Sequence, residues 1–341
     1  MPNDESMERW ARERPVPPAP GFVAARLARE RGKSARLAQA AAGPLNRRRS
    51  PHYLVPRTLA LSGLGELARR NALAIGLTRR EYELPALPVA FEGFRVLHVS
   101  DPHFGAHPEL DDAIVASVAG IEHDLCVMTG DYRYRSYGPI DVTLANLARL
   151  VASLDGNVSD AAPLAVLGNH DSIGMVPPME ALGIEVLLND CTTLRRGGAA
   201  LHVAGIDDPR YYRLDDLDRA LAARDDRGRP QERLQERLQE RSQERPSATL
   251  LLAHSPERAD AAAAAGCDAY LCGHTHGGQV CLPGGHILMR NARAPLERLT
   301  GEWRTGRTRG YTSRGVGVSI AAARFNCPPE ITLHTLVRGA S

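Results

Sequence analysis

The sequence predicts an α/β fold, and two observations lead to that prediction. From Phe94 onward, short apolar runs typical of buried strands alternate with longer segments of helical pattern. Most of the apolar runs end in polar side chains, and ligands of α/β folds gather beyond the carboxyl ends of strands. The pattern therefore indicates a sheet with a polar site along one edge.

The segments predicted as strands are short, rich in Val, Leu and Ile, and bounded by polar residues. They cover residues 94–100, 124–129, 163–167, 184–188, 200–205, 249–253, 269–272 and 331–337. Two intervening segments, 109–119 and 141–153, have the apolar spacing of amphipathic helices. This order of elements is the basis of the α/β assignment.

The residues before this pattern have a different composition. Residues 1–50 are rich in Arg, Ala and Pro, so we expect a poorly ordered arm that carries a short basic helix over about 22–42. A second amphipathic helix is predicted over 58–79. We therefore divide the chain into a basic N-terminal arm, 1–88, and a main domain, 89–341.

A low-complexity segment interrupts the main domain at residues 225–246, where Gln-Glu-Arg-Leu repeats. A period of four on a helix gives pairs of opposite charge such as Arg233 and Glu236. Leu234 and Leu238 are too few to form the apolar seam of a coiled coil. We therefore expect an exposed helical insertion.

The charge of the chain is nearly balanced overall but unevenly placed. The formal net charge is +2, and residues 1–80 hold 16 Lys and Arg against 6 Asp and Glu. A basic head of this kind is compatible with peripheral contact with an anionic membrane, and a solvated leader without a partner is an equal alternative. The head has few aromatic residues that could stack on bases, so nucleic acid is not expected as a partner.

Cysteine use and hydropathy bear on the compartment. The six cysteines lack the spacing of a small disulfide-bonded domain, which favours a reducing environment. The stretch 58–77 contains three charged residues and is a poor candidate for a bilayer span. We expect a cytoplasmic protein, peripheral at the inner membrane if the basic head is a tether.

Five polar clusters follow predicted strands and contain the residue types that bind metals. They are Asp101-Pro102-His103, Gly130-Asp131, Gly168-Asn169-His170-Asp171, His254 and Gly273-His274-Thr275-His276. Composition alone would give Gly-Asn-His-Asp about 0.002 times in this chain. Carboxylate, imidazole and amide oxygen suit Mn, Fe and Zn. Seven ligands are too many for one metal with an open position, and they fit two metals that share a carboxylate.

Each of these residues also has a structural interpretation. Asp101 and Asp131 could cap the helices that follow them, and Asn169 could be a turn residue. His254, before Ser255 and Pro256, could mark the entry to a helix. Six such coincidences at strand ends would have to occur together, so we prefer the metal interpretation.

In this order, the clusters resemble the pattern of the calcineurin-like metallophosphoesterase superfamily: D-x-H, G-D, G-N-H-D/E, H and G-H-x-H. Within that superfamily, the chain resembles bacterial YaeI-like phosphodiesterases, and this resemblance includes residues 205–209, 277–280 and 324–330. The resemblance covers about residues 92–338. It implies a β-sandwich of two mixed sheets flanked by helices, with 89–341 as the catalytic domain.

The resemblance further implies two divalent metal ions, each held by three side chains and joined by a shared carboxylate. The first set is Asp101, His103 and His276, the second is Asn169, His254 and His274, and the bridge is Asp131. His170 would stabilise or protonate the leaving oxygen, and Asp171 would orient the His170 ring. A metal-bridging hydroxide would then cleave a phosphoester substrate, which we expect to be a phosphodiester of a small or lipid-linked molecule.

Two other functions and two departures from the family pattern bear on this expectation. A non-catalytic scaffold on the same fold is an alternative, although all seven ligands are retained, and a nuclease is another. Pro102 stands where relatives usually carry Leu, and we expect it to hold Asp101 extended. Arg133 and Arg135 are expected in an exposed loop, with contact to substrate phosphate as the alternative.

Overall fold

In a computed structural model, two six-stranded sheets pack face to face and helices cover their outer surfaces. The structure describes residues 4–42, 54, 57–59, 61–159, 161–223, 247–288 and 290–339. The helices are α1 (Asp4–Glu13), α2 (Phe22–Ala42), α3 (Gly65–Leu73), α4 (Pro108–Ser117), α5 (Asp141–Ala152), α6 (Val176–Ala181), α7 (Leu217–Ala222) and α8 (Ala259–Ala264). The strands are β1 (Gly76–Glu83), β2 (Arg95–Val99), β3 (Leu125–Met128), β4 (Leu164–Ala165), β5 (Glu185–Val186), β6 (Asp190–Arg196), β7 (Ala199–Gly205), β8 (Ser247–Leu252), β9 (Ala269–Cys272), β10 (Cys281–Leu282), β11 (His286–Ile287), β12 (Gly301–Thr305), β13 (Thr308–Thr312) and β14 (Glu330–Val337).

Both large sheets mix parallel and antiparallel neighbours. The first has the order β1-β14-β2-β3-β4-β5, in which β2 to β5 are parallel and β14 is antiparallel to β2. The second has the order β12-β13-β9-β8-β7-β6, with four parallel strands in the middle and an antiparallel strand at each edge. The predicted fold class, a sandwich of two mixed sheets flanked by helices, is confirmed.

Side-chain alternation along each central strand builds two cores at once. Val96 of β2 and Val127 of β3 pack between the sheets with Leu250 of β8. Their neighbours Leu97 and Met128 belong to a second core, which the helices cover. Successive residues of a strand point to opposite faces, so a strand that is buried on both faces reads as a continuous apolar run.

The predicted strands of the main domain are all present, with bounds that differ by a few residues. The strands that sequence reasoning missed lie mostly at sheet edges, where one side of the strand is uncovered. β1 is an example: its sequence is Gly-Leu-Thr-Arg-Arg-Glu-Tyr-Glu, and Tyr82 is its one buried residue. Charged side chains are common in edge strands because they discourage pairing with other chains. Such a strand has no apolar pattern to reveal it.

The N-terminal region differs from the expected poorly ordered arm. The predicted basic helix is present as α2, and Met7, Ala11, Phe22 and Val23 of the first two helices join the helix-covered core. The second predicted helix, over 58–79, is wrong at its C-terminal end, because α3 ends at Leu73 and β1 begins at Gly76. β1 pairs with β14 along its whole length, so the predicted boundary at residue 88 separates a strand from its own sheet.

Two further expectations concern segments at or near the surface. Among the helices of the described residues, none has both the length and the apolar character needed to cross a bilayer. The predicted insertion over 225–246 lies outside the described residues, between α7 and β8. Its helical form stays a prediction.

The docking of α2 on the core can be tested with two substitutions on that helix. Phe22 is 7% exposed, and Phe22→Ala is expected to lower the free energy of unfolding by about 3 kcal/mol, because it leaves a cavity in the core. Leu37→Ala is the control, since Leu37 is 37% exposed, and its effect should stay within about 0.5 kcal/mol. Urea denaturation measures both, and equal effects would mean that α2 does not pack as described.

Candidate metal centre

The candidate ligands gather at one end of the sandwich, just beyond the strands that precede them. Those that follow β2, β3 and β4 of the first sheet are Asp101, His103, Asp131 and Asn169. Those that follow β8 and β9 of the second sheet are His254, His274 and His276. Both sheets therefore contribute to one site, as expected for the carboxyl ends of parallel strands.

Five of these residues share a backbone conformation that is uncommon outside glycine. The φ angle is 52° at Asp101, 47° at His103, 56° at Asp131, 70° at His274 and 50° at His276. Each such residue costs about 1–3 kcal/mol, and strain of this kind clusters at functional sites. The angle at Asp101 also shows that the expectation for Pro102 was wrong, because Asp101 is not extended.

The first group of side chains converges within hydrogen-bonding distance. The Nε2 atoms of His103 and His276 are 3.0 Å apart, and their rings are stacked with centroids 5.0 Å apart. The Oδ1 atom of Asp101 lies 3.6 Å from Nε2 of His276. Asp101, His103 and His276 are buried and could hold one metal ion between them.

The second group is built in the same way on the other side of the centre. Nδ1 of His274 lies 3.1 Å from Nε2 of His254, which in turn lies 3.2 Å from Oδ1 of Asn169. Asp131 stands between the two groups. Its Oδ2 atom is 3.6 Å from Nε2 of His103, and its Oδ1 atom is 3.4 Å from Nε2 of His254.

Backbone carbonyls fix the orientation of three of the four imidazoles. Nδ1 of His103 bonds to the Arg133 carbonyl at 3.1 Å, and Nδ1 of His254 bonds to the Thr129 carbonyl at 2.7 Å. Nε2 of His274 bonds to the Asn291 carbonyl at 2.8 Å. A carbonyl only accepts, so these nitrogens carry the protons and the opposite nitrogens offer their lone pairs to the centre.

This arrangement needs positive charge between the rings. Lone pairs of His254 and His274 that face each other at 3.1 Å repel unless a proton or a metal ion lies between them. Burial lowers the pKa of His254, but the carboxylates of Asp131, Asp101 and Asp208 together outweigh burial and raise that pKa to about 10. Burial likewise opposes ionisation of Asp131, yet His254 and His170 hold its pKa well below the usual range. The residues present therefore fit a divalent cation.

Glycines before the candidate ligands allow the loops to approach each other. A Cβ atom at Gly168 would overlap the carboxylate of Asp131, and one at Gly273 would overlap Ser100 and the carboxylate of Asp101. The missing side chain is what lets two loops from different strands meet here. The glycines of the sequence motifs are thus part of the packing of the site.

His170 and Asp171 lie beside this centre, but their relation differs from the expected one. Nδ1 of His170 bonds to the Tyr134 carbonyl at 2.7 Å rather than to Asp171, and burial lowers the pKa of His170 to about 3. The Asp171 carboxylate instead accepts the backbone N–H groups of Asp131, Tyr132 and Gly168 at 2.7–2.8 Å. Asp171 therefore joins two site loops, and the prediction that it orients the His170 ring is wrong.

The loop after Asp131 also differs from expectation at one position. Arg135 is exposed as expected, but Arg133 is only 2% exposed. Nη2 of Arg133 donates to the Gly138 carbonyl at 3.0 Å, and its Nε and Nη1 have no hydrogen-bond partner among the described residues. The expectation that Arg133 lies in an exposed loop was wrong.

Sequence reasoning missed two cations that contact the site. Nη2 of the buried Arg324 lies 3.3 Å from Nδ1 of His276, and Lys33 of α2 donates a hydrogen bond to the Asn169 carbonyl. Lys33 is far along the chain from every motif, whereas Arg324 begins the segment 324–330 of the family resemblance but was given no role there. A signal for Lys33 was nevertheless present, because it is the only lysine in the sequence.

Comparisons with known proteins show which family the chain belongs to. A model of the calcineurin-like phosphoesterase family matches residues 94–278. The metallophosphoesterase YkuE of Bacillus subtilis, whose function is uncharacterised, is 28% identical over 274 residues, which are 77% of this chain and 85% of that protein. The phosphodiesterase YaeI of Escherichia coli is 29% identical over 256 residues, 72% of this chain and 82% of its own.

Among solved structures, the phosphopantetheinyl hydrolase PptH of Mycobacterium tuberculosis is similar to 68% of this chain and 91% of its own, at 13% identity. The TM-score is 0.37, which is too low to support an argument about the site. The family match is the stronger finding, because it spans more than half of the chain and every candidate ligand from Asp101 to His276. The chain belongs to the calcineurin-like phosphoesterase family and is a metal-dependent phosphoesterase.

Proposed function

We propose that this phosphoesterase hydrolyses phosphodiesters of small or lipid-linked molecules and that it uses two divalent ions of Mn, Fe or Zn. One observation carries the two-metal part of the proposal. Asp131 directs one carboxylate oxygen towards His103 and the other towards His254, so a single carboxylate faces both groups of ligands. The similarity to a protein named as a phosphodiesterase supports the diester preference.

The proposed ligands form two groups, and the distances between their side-chain atoms define these groups. One ion would be held by Asp101, His103 and His276, the other by Asn169, His254 and His274, with Asp131 shared. When bound, the ions supply Lewis acidity that withdraws charge from the phosphoryl oxygens and activates water as the nucleophile. Two dications against two carboxylates leave the centre with net positive charge, which attracts a phosphate group.

In this proposal, His170 acts on the oxygen that leaves the phosphorus. Its Nδ1–H is held by the Tyr134 carbonyl, which directs Nε2 to the site, and its ring packs edge-on at 4.8 Å against His103. The ring is neutral in the structure because burial lowers its pKa to about 3. A bound phosphate would stabilise the protonated ring, since an opposite charge favours the cation. His170 would then hold a proton at Nε2 for the leaving oxygen.

The substrate class is the first prediction of this proposal. Metal-loaded protein should cleave phosphodiesters with a higher kcat/KM than phosphomonoesters or pyrophosphate, in a panel that includes a soluble diester and a lipid-linked diester. A preference for the lipid-linked member would favour a substrate at the membrane, where peripheral contact through residues 1–80 stays a prediction. Hydrolysis of monoesters alone would overturn the diester proposal.

The shared carboxylate gives the second prediction. Asp131→Asn should lose both ions, because an amide has one oxygen and no charge with which to bridge two cations. Elemental analysis should find about two divalent ions per chain in the wild type and well under one in the variant. Asp112→Asn is the matched control, since Asp112 is an exposed carboxylate paired with Arg149. Unchanged metal content in Asp131→Asn would exclude the bridge.

The role of His170 can be separated from metal binding. His170→Ala should keep its metal content and lower kcat by about 10²–10⁴-fold, the usual contribution of a general acid. His286→Ala is the control, because His286 is exposed and is not a candidate site residue. This variant should leave kcat unchanged. If kcat of His170→Ala equals that of the wild type, the residue only packs against His103.

A further inference from the structure

Lys33 differs in type from every other cation of the chain, and it is buried. It is the only lysine among 42 Lys and Arg residues. It is also 5% exposed, whereas Arg29, Arg31 and Arg36 on the same helix are exposed. A solvated basic helix would not bury one ammonium group, because burial of a charge is costly unless it is compensated.

One face of α2 docks against the loop that follows β4 and contains Asn169 and His170. Arg26 is fully buried, with Nε 3.3 Å from an oxygen of Asp207 and Nη2 3.3 Å from the Asp171 carbonyl. One turn later, the Glu30 carboxylate accepts the Ile173 N–H at 2.7 Å. Lys33 follows on the same face, at the spacing i, i+4, i+7. The helix is thereby fixed against this loop by charged side chains.

The Lys33 ammonium ends beside the metal centre. It donates to the backbone carbonyl of Asn169, whose side-chain oxygen faces His254 on the other side. It also lies 4.4 Å from the centre of the Tyr211 ring, a contact that favours a cation. Among the described residues, the Asn169 carbonyl is its one hydrogen-bond acceptor, which leaves two N–H groups for another partner.

The electrostatic setting of Lys33 agrees with this position. Asp131 of the candidate metal centre is the carboxylate that interacts most strongly with the Lys33 ammonium. The described residues place no carboxylate within ion-pair distance of the ammonium group. A buried cation of this kind, bonded to the Asn169 loop of a centre that attracts phosphate, is incomplete without an anion.

We propose that Lys33 binds a phosphoryl oxygen of the substrate, so that α2 forms one wall of the catalytic site. This inference rests on the proposed phosphoesterase function of the same centre. A lysine is suited to the task because its ammonium is a compact point charge with three donors. The basic N-terminal region thus contributes a residue to catalysis, in addition to any contact it makes with a membrane.

Inorganic phosphate is the probe that tests the proposal on the full-length, zinc-loaded protein. In calorimetric titrations, Lys33→Met should weaken phosphate binding by about 10- to 100-fold, the loss expected for one charge-assisted hydrogen bond. Lys33→Arg should retain part of the affinity, because it keeps the charge. Arg29→Met is the control, since Arg29 is exposed on the same helix and bonds to the Arg213 carbonyl. Its phosphate affinity should equal that of the wild type.

A spectroscopic measurement uses the fact that the chain has one lysine. Protein labelled with ¹³Cε-lysine gives a single side-chain signal, and saturating phosphate should shift it in the zinc-loaded protein. A signal that stays in place at saturation would overturn the proposal. So would a Lys33→Met variant that binds phosphate as tightly as the wild type.

The same variants separate this inference from its alternatives. If Lys33 only holds the Asn169 loop, Lys33→Met will lose metal while the sites that stay loaded bind phosphate normally, and the proposal is then wrong. If the wild type binds phosphate through Lys33 but hydrolyses no member of the ester panel, the proposed function fails and the phosphate contact stands. Loss of phosphate affinity with unchanged metal content and melting temperature supports the contact itself.

Discussion

The charge of the Asp131 carboxylate is the constraint on which the rest of the site depends. It is buried, it faces imidazoles of both groups, and its backbone has a φ of 56°. Carbonyls orient three of the four histidines so that lone pairs face inwards. The loop of Asp131 is held by Asp171, which accepts the backbone N–H groups of Asp131 and Tyr132. A buried anion among lone pairs is stable only with a cation at the centre, which is why this arrangement fits a metal ion.

The sandwich makes this arrangement possible by supplying rigid strand ends from two directions. β2, β3 and β4 of one sheet and β8 and β9 of the other all end at the centre. Strain at several residues of one site is tolerated only when the surrounding structure determines the backbone, and both faces of these strands are buried. The core between the sheets and the helix-covered core outside each sheet therefore provide the stability against which the strained loops are held.

The N-terminal helices change how the basic head is understood. Its positive charge suggested a membrane tether or a solvated leader, but the residues that matter most for the site are the buried ones. Arg26, Glu30 and Lys33 use one face of α2 to contact the loop that carries Asn169 and His170, and exposed arginines lie on the remainder of the helix. One face of the helix therefore contacts the loop that carries two candidate site residues, while the other face presents charge to solvent.

The sequence by itself determined the alternation of buried strands and helices, the order of the clusters and the identity of the candidate ligands. Those features are local, because a run such as Leu125–Met128 and a motif such as Gly168-Asn169-His170-Asp171 are readable without knowledge of their neighbours. The tertiary structure alone decided the pairing of β1, the partner of the His170 ring and the place of Lys33. Each of these depends on which distant segment packs alongside. None of these contacts produces a periodic pattern in the sequence. β1 is a charged edge strand, the His170 ring bonds to a carbonyl of another loop, and Lys33 lies 136 positions along the chain from the residue that it contacts.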